Sequence, residues 1–107
     1  MGGVVKDRYV FEIPRSIKEE LKRKYSCCIC GRREELEIHH LDKFPKRAGL
    51  RVNVLCRRCH RAVTYLEMWY PQVYRRVMVP FLEKCAITID LERLFPKLTA
   101  FLGGNNA

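Results

Sequence analysis

Cys27-Cys28-Ile29-Cys30, Leu36-Glu37-Ile38-His39-His40 and Cys56-Arg57-Arg58-Cys59-His60 are the three segments on which the reading of this chain turns. Two cysteine pairs bracket a histidine doublet, and a third histidine follows the second pair. Cys27, Cys30, Cys56 and Cys59 form C-x2-C…C-x2-C, a spacing that suits tetrahedral zinc. Cys28 also lies close to Cys30, but the two-residue register selects Cys27. Cys28 and Cys85 then read as ordinary small side chains, with a reactive thiol as the alternative. A closed shell of four thiolates leaves no open position, so this zinc is expected to be structural. The histidines are left to hold a second, open metal site or to act as a base.

The 107 residues are enough for one small domain, 1–107, in which a structural metal would add useful stability. No run of 18 apolar residues occurs, so neither a transmembrane helix nor a membrane partner is expected. Met1 to Asp7 lacks the basic-then-apolar pattern of a signal peptide, which predicts an intracellular, cytoplasmic protein whose cysteines are thiolate ligands rather than disulfides. The net charge is +9, and between residues 43 and 61 seven basic groups occur with no acid: Lys43, Lys46, Arg47, Arg51, Arg57, Arg58 and Arg61. A polyanion such as DNA is the natural partner for that cluster. The alternative is a generally basic, solvated surface. Oligomeric state is left open.

The periodicities divide the chain into an N-terminal strand and helix (1–26), a central unit (27–70) and a C-terminal helical extension (71–107). Tyr9-Val10-Phe11-Glu12-Ile13 reads as a short strand ended by Pro14. Ser16 and Glu19 form a capping-box pattern, with Ile17, Leu21 and Tyr25 on one face of a helix over about 17–25. Leu36–His40 and Leu50–Leu55 read as the two strands of a hairpin with a long basic loop. A helix over about 58–69 follows the second knuckle. Val73, Val77 and Phe81 suggest another, interrupted near Pro80. Leu91 to Leu102 follows a helical period that Pro96 delays or kinks. Gly103 to Ala107 reads as a cap and a frayed tail.

Taken in order, Cys27-x2-Cys30, His39-His40 and Leu55-Cys56-x2-Cys59-His60 resemble the zinc-containing branch of the HNH endonucleases, over about residues 25–70. The resemblance implies an α+β fold: a small zinc-stabilised ββα-metal (HNH, or His-Me finger) unit with flanking helices. It also implies a metal-dependent endonuclease that hydrolyses phosphodiester bonds in DNA. His39 matches a metal ligand, His40 the general base and His60 the last metal-binding histidine. Mg2+ or another divalent ion would be the catalytic cofactor beside the structural Zn2+. The family's middle asparagine usually lies five residues before the second cysteine pair. That position is Arg51, and the nearest asparagine, Asn53, lies three before Cys56. Some phage-like relatives carry H-H-x-D here, as do His39-His40-Leu41-Asp42, so Asp42 is either a substitute ligand or a turn residue.

Alternative readings remain beside this one. The histidines could be satisfied polar groups next to a zinc knuckle, in a non-catalytic module that binds nucleic acid or protein. Adjacent strand residues point to opposite faces, so His39 and His40 share a site only where the strand ends or twists. Tyr65, Trp69, Tyr70 and Tyr74 could stack on bases, although their helical spacing reads more simply as core and interface packing. The apolar stretch from Val73 to Leu102 also suits a protein-interaction adaptor.

Overall fold

The computed structural model describes residues 10–96. Its elements in order are α1 (Arg15–Lys24), β1 (Leu36–His40), β2 (Leu50–Cys56), α2 (Arg57–Trp69), α3 (Pro71–Val73), a π-helical turn (Tyr74–Met78), α4 (Val79–Lys84), β3 (Ile87–Ile89) and α5 (Leu91–Leu94). The sheet has the order β1-β2-β3 and is antiparallel throughout. This is a small α+β structure with a four-cysteine cluster at one end of the hairpin.

β2 is the central strand, and Val52, Asn53, Val54, Leu55 and Cys56 are all buried. An antiparallel strand buried on both faces reads as a continuous rather than an alternating apolar run. Register shows what covers each face, because residues directly opposite one another share a face. Leu36, Ile38 and His40 pair with Cys56, Val54 and Val52. That face meets the N-terminal segment: Cys28 N–H donates to the Val54 carbonyl, and Ile13, Ile17 and Leu21 join the core. Glu37 and His39 pair with Leu55 and Asn53. On that face His39 reaches Tyr74, Glu37 reaches His60 and Asn53 reaches Leu82, so it is covered by α2 and the helices after it.

Several elements differ from the sequence expectations. Of the expected strand at 9–13, Tyr9 lies outside the described residues, and 10–13 run extended without joining the sheet. Phe11 N–H donates to the Lys43 carbonyl, and the buried Ile13 side chain anchors the segment. Ser16 is not a cap: α1 begins at Arg15 with Pro14 as N-cap, and the N–H groups of Ile17 and Lys18 bond the Pro14 carbonyl. Pro80 does not interrupt its helix. Val79 N–H bonds Tyr74 O, the i→i−5 pattern of a π turn. Widening the helix just before Pro80 takes up the ring and the missing N–H, and Pro80 falls in the first turn of α4. β3 is not among the strands expected from the sequence, although Ile87, Thr88 and Ile89 are all β-branched. Of the helix expected from Leu91, α5 ends at Leu94, while Leu98, Phe101, Leu102 and the tail at 103–107 lie outside the described residues.

Gly49 opens β2 at φ +123°, and a Cβ there would sit 2.4 Å from the Ile89 carbonyl oxygen. Both the dihedral and the contact require glycine. Gly49→Ala is expected to cost at least about 2 kcal/mol, measured by urea denaturation, with loss of the β2–β3 pairing as its structural signature.

Candidate functional site

The first knuckle is a tight turn in which Gly31, at φ +82°, sends its N–H back to the Cys27 carbonyl while the Cys30 N–H points at Cys27 Sγ (3.5 Å). The second knuckle is built differently. Cys56 ends β2 and is the N-cap of α2, and Cys59 lies in the helix's first turn. The sulfurs of Cys27, Cys30, Cys56 and Cys59 all lie within 4.8 Å of one another. Cys28 is not among them. Cys30 Sγ and Cys56 Sγ are 3.7 Å apart, and two sulfurs bound about 2.3 Å from one tetrahedral zinc would lie about 3.8 Å apart. The donor set and its spacing therefore fit a metal ion such as zinc. Burial works against ionisation of Cys27, but the backbone N–H groups of Cys30, Cys56 and Ile29 outweigh it and draw its pKa down to about 6. Cys59 is pushed up to about 12 by burial and by the neighbouring sulfurs. A cluster of this kind needs a cation before all four sulfurs can carry charge.

The two remaining cysteines meet away from this cluster. Cys28 is pushed well up by burial and by Cys85 beside it. Cys85 Sγ lies 3.7 Å from the Phe81 carbonyl oxygen and 3.8 Å from Asn53 Nδ2.

Of the three histidines, two come together. The rings of His39 and His60 are 5.4 Å apart, edge to face. His60 Nδ1 bonds Glu37 Oε1 at 2.8 Å, which holds the Glu37 carboxyl below its ordinary pKa. That contact uses Nδ1 and leaves Nε2 as the other ring nitrogen of His60. His39 Nε2 is 3.1 Å from the Tyr74 hydroxyl. Burial draws His39 down to about 4, with smaller contributions from His60 and His40, so the ring is neutral across the physiological range. Tyr74 is pushed up to about 12 by burial, assisted by Glu67, so its proton stays.

His40 turns to the opposite face of the strand from His39, as strand alternation requires. Its Nε2 is 2.8 Å from the Phe11 carbonyl oxygen. A carbonyl only accepts, so Nε2 carries the proton and Nδ1 keeps a lone pair. Burial lowers the His40 pKa, partly offset by that bond. β1 is an edge strand and His40 is its last residue, so the ring sits at the rim of the sheet and not within its packed interior.

The other residues singled out from sequence have structural partners. Arg51 donates to Asp42 through Nε (3.1 Å), Nη2 (3.0 Å) and its backbone N–H (3.0 Å), and to Glu83 through Nη1 (3.1 Å). Burial works against the Asp42 charge, but Arg51 and Lys46 together hold its carboxyl below the usual range. Asp42 thus clamps the hairpin loop onto β2. Asn53 is fully buried, and its Nδ2 donates to the carbonyls of Leu82 (2.9 Å) and Cys85 (3.4 Å) at the end of α4. It shares a face with His39 across the register but is committed to the helix end. Among the described residues the four-cysteine cluster is the one group of three or more potential metal-binding side chains that converges.

The basic cluster is divided in the same way. Arg57 pairs with Glu35 and Glu37, and Lys46 and Arg51 are tied to Asp42. Lys43, Arg47, Arg58 and Arg61 are exposed and have no carboxylate partner among the described residues. Sequence reasoning missed Glu37 and Tyr74 as neighbours of the histidines. Glu37 could have been found, since it stands two residues before His39 on the same face. Tyr74 could not, since a helix of unpredicted phase delivers it.

Two measurements test this arrangement. Purified protein is expected to contain one zinc per chain by elemental analysis. Because four ligands share about 10–16 kcal/mol of binding energy, Cys56→Ser should weaken zinc binding roughly 100-fold, whereas Cys28→Ser should retain it. The second measurement concerns acid stability. Below the ordinary histidine pKa of 6.5 the unfolded chain takes up a proton that folded His39 refuses until about 4. Stability should therefore fall as pH falls through that window, by about 3 kcal/mol. Thermal melts of His39→Gln across pH 4–7 should show a correspondingly flatter dependence than wild type. Comparisons with protein-family models, curated proteins and solved structures return no match for this chain.

Proposed function

We propose that this protein is a metal-dependent endonuclease of HNH type that hydrolyses phosphodiester bonds in DNA, with the hairpin β1–β2 and helix α2 forming a ββα-metal unit. The observation that carries the reading is the pairing of His39 and His60 across the hairpin–helix junction, their rings 5.4 Å apart, with His60 Nδ1 held by Glu37. A metal-binding imidazole typically donates its other ring N–H to a carboxylate, a carbonyl or another polar group, which fixes the tautomer and orients the ring. Glu37 serves His60 in that way, and the Tyr74 hydroxyl is placed to serve His39. Two imidazoles suit a divalent ion that keeps its other positions for water and phosphate oxygens.

Such an ion would supply positive charge at the scissile phosphate and at the leaving oxygen. The chain's own groups do the rest. His40, the last residue of β1, would accept a proton from an attacking water through its Nδ1 lone pair, and because its ring turns to the other face of the strand from His39 this reading requires the two to meet at the strand end. Its burial keeps it neutral and ready at pH 7. Lys43, Arg47, Arg58 and Arg61 would hold the flanking backbone through charge. The four-cysteine cluster would keep the hairpin and helix together and take no part in the chemistry.

A second reading has its own observation. Arg51, at the family's middle position, is consumed by Asp42 and Glu83, and Asn53 is anchored through Nδ2 to the end of α4 with its buried Oδ1 unpaired, so the histidines are joined by no third side chain in a converged metal-binding group among the described residues. That favours a non-catalytic zinc module that binds nucleic acid. Plasmid nicking with added Mg2+, Mn2+ or Ni2+ separates the two. The nuclease reading expects divalent-dependent nicking, reduced by about 100-fold or more in His40→Ala with zinc content unchanged. Undiminished nicking by that variant removes His40 from the mechanism. Steeply salt-dependent DNA binding with no cleavage under any of the three ions establishes the second reading.

A further inference from the structure

Three large aromatic side chains on the helical layer are not packed into the core. Tyr65 is 55%, Trp69 65% and Tyr70 52% exposed, while Tyr74 alone of the four aromatics is buried. On α2, His60, Thr64 and Met68 form one i, i+4 ridge, and Arg61, Tyr65 and Trp69 form the next. Between them runs a shallow groove of about 270 Å³ lined by these six residues. The groove begins at His60, the ring that faces His39. The Tyr70 ring, 6.0 Å from that of Tyr65, widens the aromatic surface at its far end.

We propose that this groove binds unpaired bases of a single-stranded stretch of DNA, so that the substrate is DNA with a melted or single-stranded segment beside the scissile phosphate. The inference rests on the nuclease reading for its choice of scissile site, but its binding component stands alone. Base faces are available for stacking only where a strand is unpaired, and aromatic side chains beside a cationic track are the surface that takes them. Arg61 stands in the groove wall and Arg58 one turn before it, both exposed and without a carboxylate partner among the described residues. From His60 to Trp69 the helix axis runs about 13 Å, room for more than one base at the stacking spacing of about 3.4 Å. A second copy of the chain is the other candidate to cover such a surface. It would bring a like-charged face against Arg58 and Arg61 in a protein of net charge +9, which charge complementarity disfavours.

Trp69 is the chain's one tryptophan, so its fluorescence reports on the groove directly. Full-length protein in buffer without added divalent ion is titrated with oligothymidylate and, at the same salt, with a blunt hairpin duplex. Stacking on Trp69 is expected to quench its emission with the single strand, and the single strand should bind at least tenfold more tightly than the duplex. Tyr65→Ala should weaken single-strand binding by roughly tenfold. Trp69→Ala, followed by anisotropy of a labelled oligonucleotide, should do the same. Because both side chains are exposed, zinc content and circular dichroism should be unchanged and serve as the folding control. Equal affinity for duplex and single strand, binding without any change in Trp69 emission, or a Trp69 signal that depends on protein concentration alone would each overturn the proposal. Nicking without quenching removes this inference and leaves the nuclease; quenching without nicking does the reverse.

Discussion

Everything in this structure hangs from the point where four sulfurs meet. Cys27 and Cys30 come from a turn between α1 and β1, while Cys56 and Cys59 sit on the two sides of the β2–α2 junction. Drawing them to within 4.8 Å ties the end of the hairpin to the start of a helix. That junction sets the direction in which α2 leaves the sheet. His60, next to Cys59, is thereby brought over Glu37 and against His39. The physical demand is simple: thiolates at this density repel one another, and only a cation at their centre turns the repulsion into a clamp. A chain of 107 residues has a modest core, and a clamp at this junction does work that side-chain packing alone would do less sharply.

A second layer of constraint is polar and buried. Asn53 fastens the central strand to the carbonyls that end α4, and Asp42 gathers Arg51, Lys46 and a backbone N–H at the base of the loop. These groups are costly to bury unless paired, and the bonds of Asp42 and of Asn53 Nδ2 specify one arrangement, while Asn53 Oδ1 is buried without a partner. They also set the electrostatics of the surface. Arg51 is spent inward, while Arg58 and Arg61 remain outward beside the aromatic ridge of α2. The face that could meet a polyanion is thus narrower than the run of seven basic residues in sequence, and it lies on the helix as much as on the loop.

Alternation in β1 divides the labour of the histidine doublet. His39 faces the helices and is buried to neutrality, and His40 faces the N-terminal segment and is oriented by the Phe11 carbonyl. Neighbours in sequence therefore have different surroundings and different hydrogen-bond partners. The π turn at Tyr74–Met78 belongs to the same design. By accommodating Pro80 it lets one helical path run from Pro71 to Lys84, carrying Tyr74 to His39 at one end and Leu82 to Asn53 at the other.

Local rules were enough for part of this. The C-x2-C spacings identified which cysteines cluster, because a knuckle is made within four residues. The strands expected at 36–40 and 50–55 and the helices expected at about 17–25 and 58–69 coincide closely with β1, β2, α1 and α2, because burial of one face is a local requirement. What depends on distant partners was not legible. The segment at 10–13 has strand-like residues but bonds the loop at Lys43 and not a strand edge, whereas Ile87-Thr88-Ile89 pairs with β2. Val73, Val77 and Phe81 keep helical spacing yet are exposed, because spacing gives a helix its apolar face but not the surface to bury it against. The three histidines stand out in the sequence, but the partners of each do not. That Glu37 orients His60, that Tyr74 reaches His39 and that Glu83 holds Arg51 were decided only when β2, α2 and the helices beyond it came together, since each pairs residues more than 20 apart.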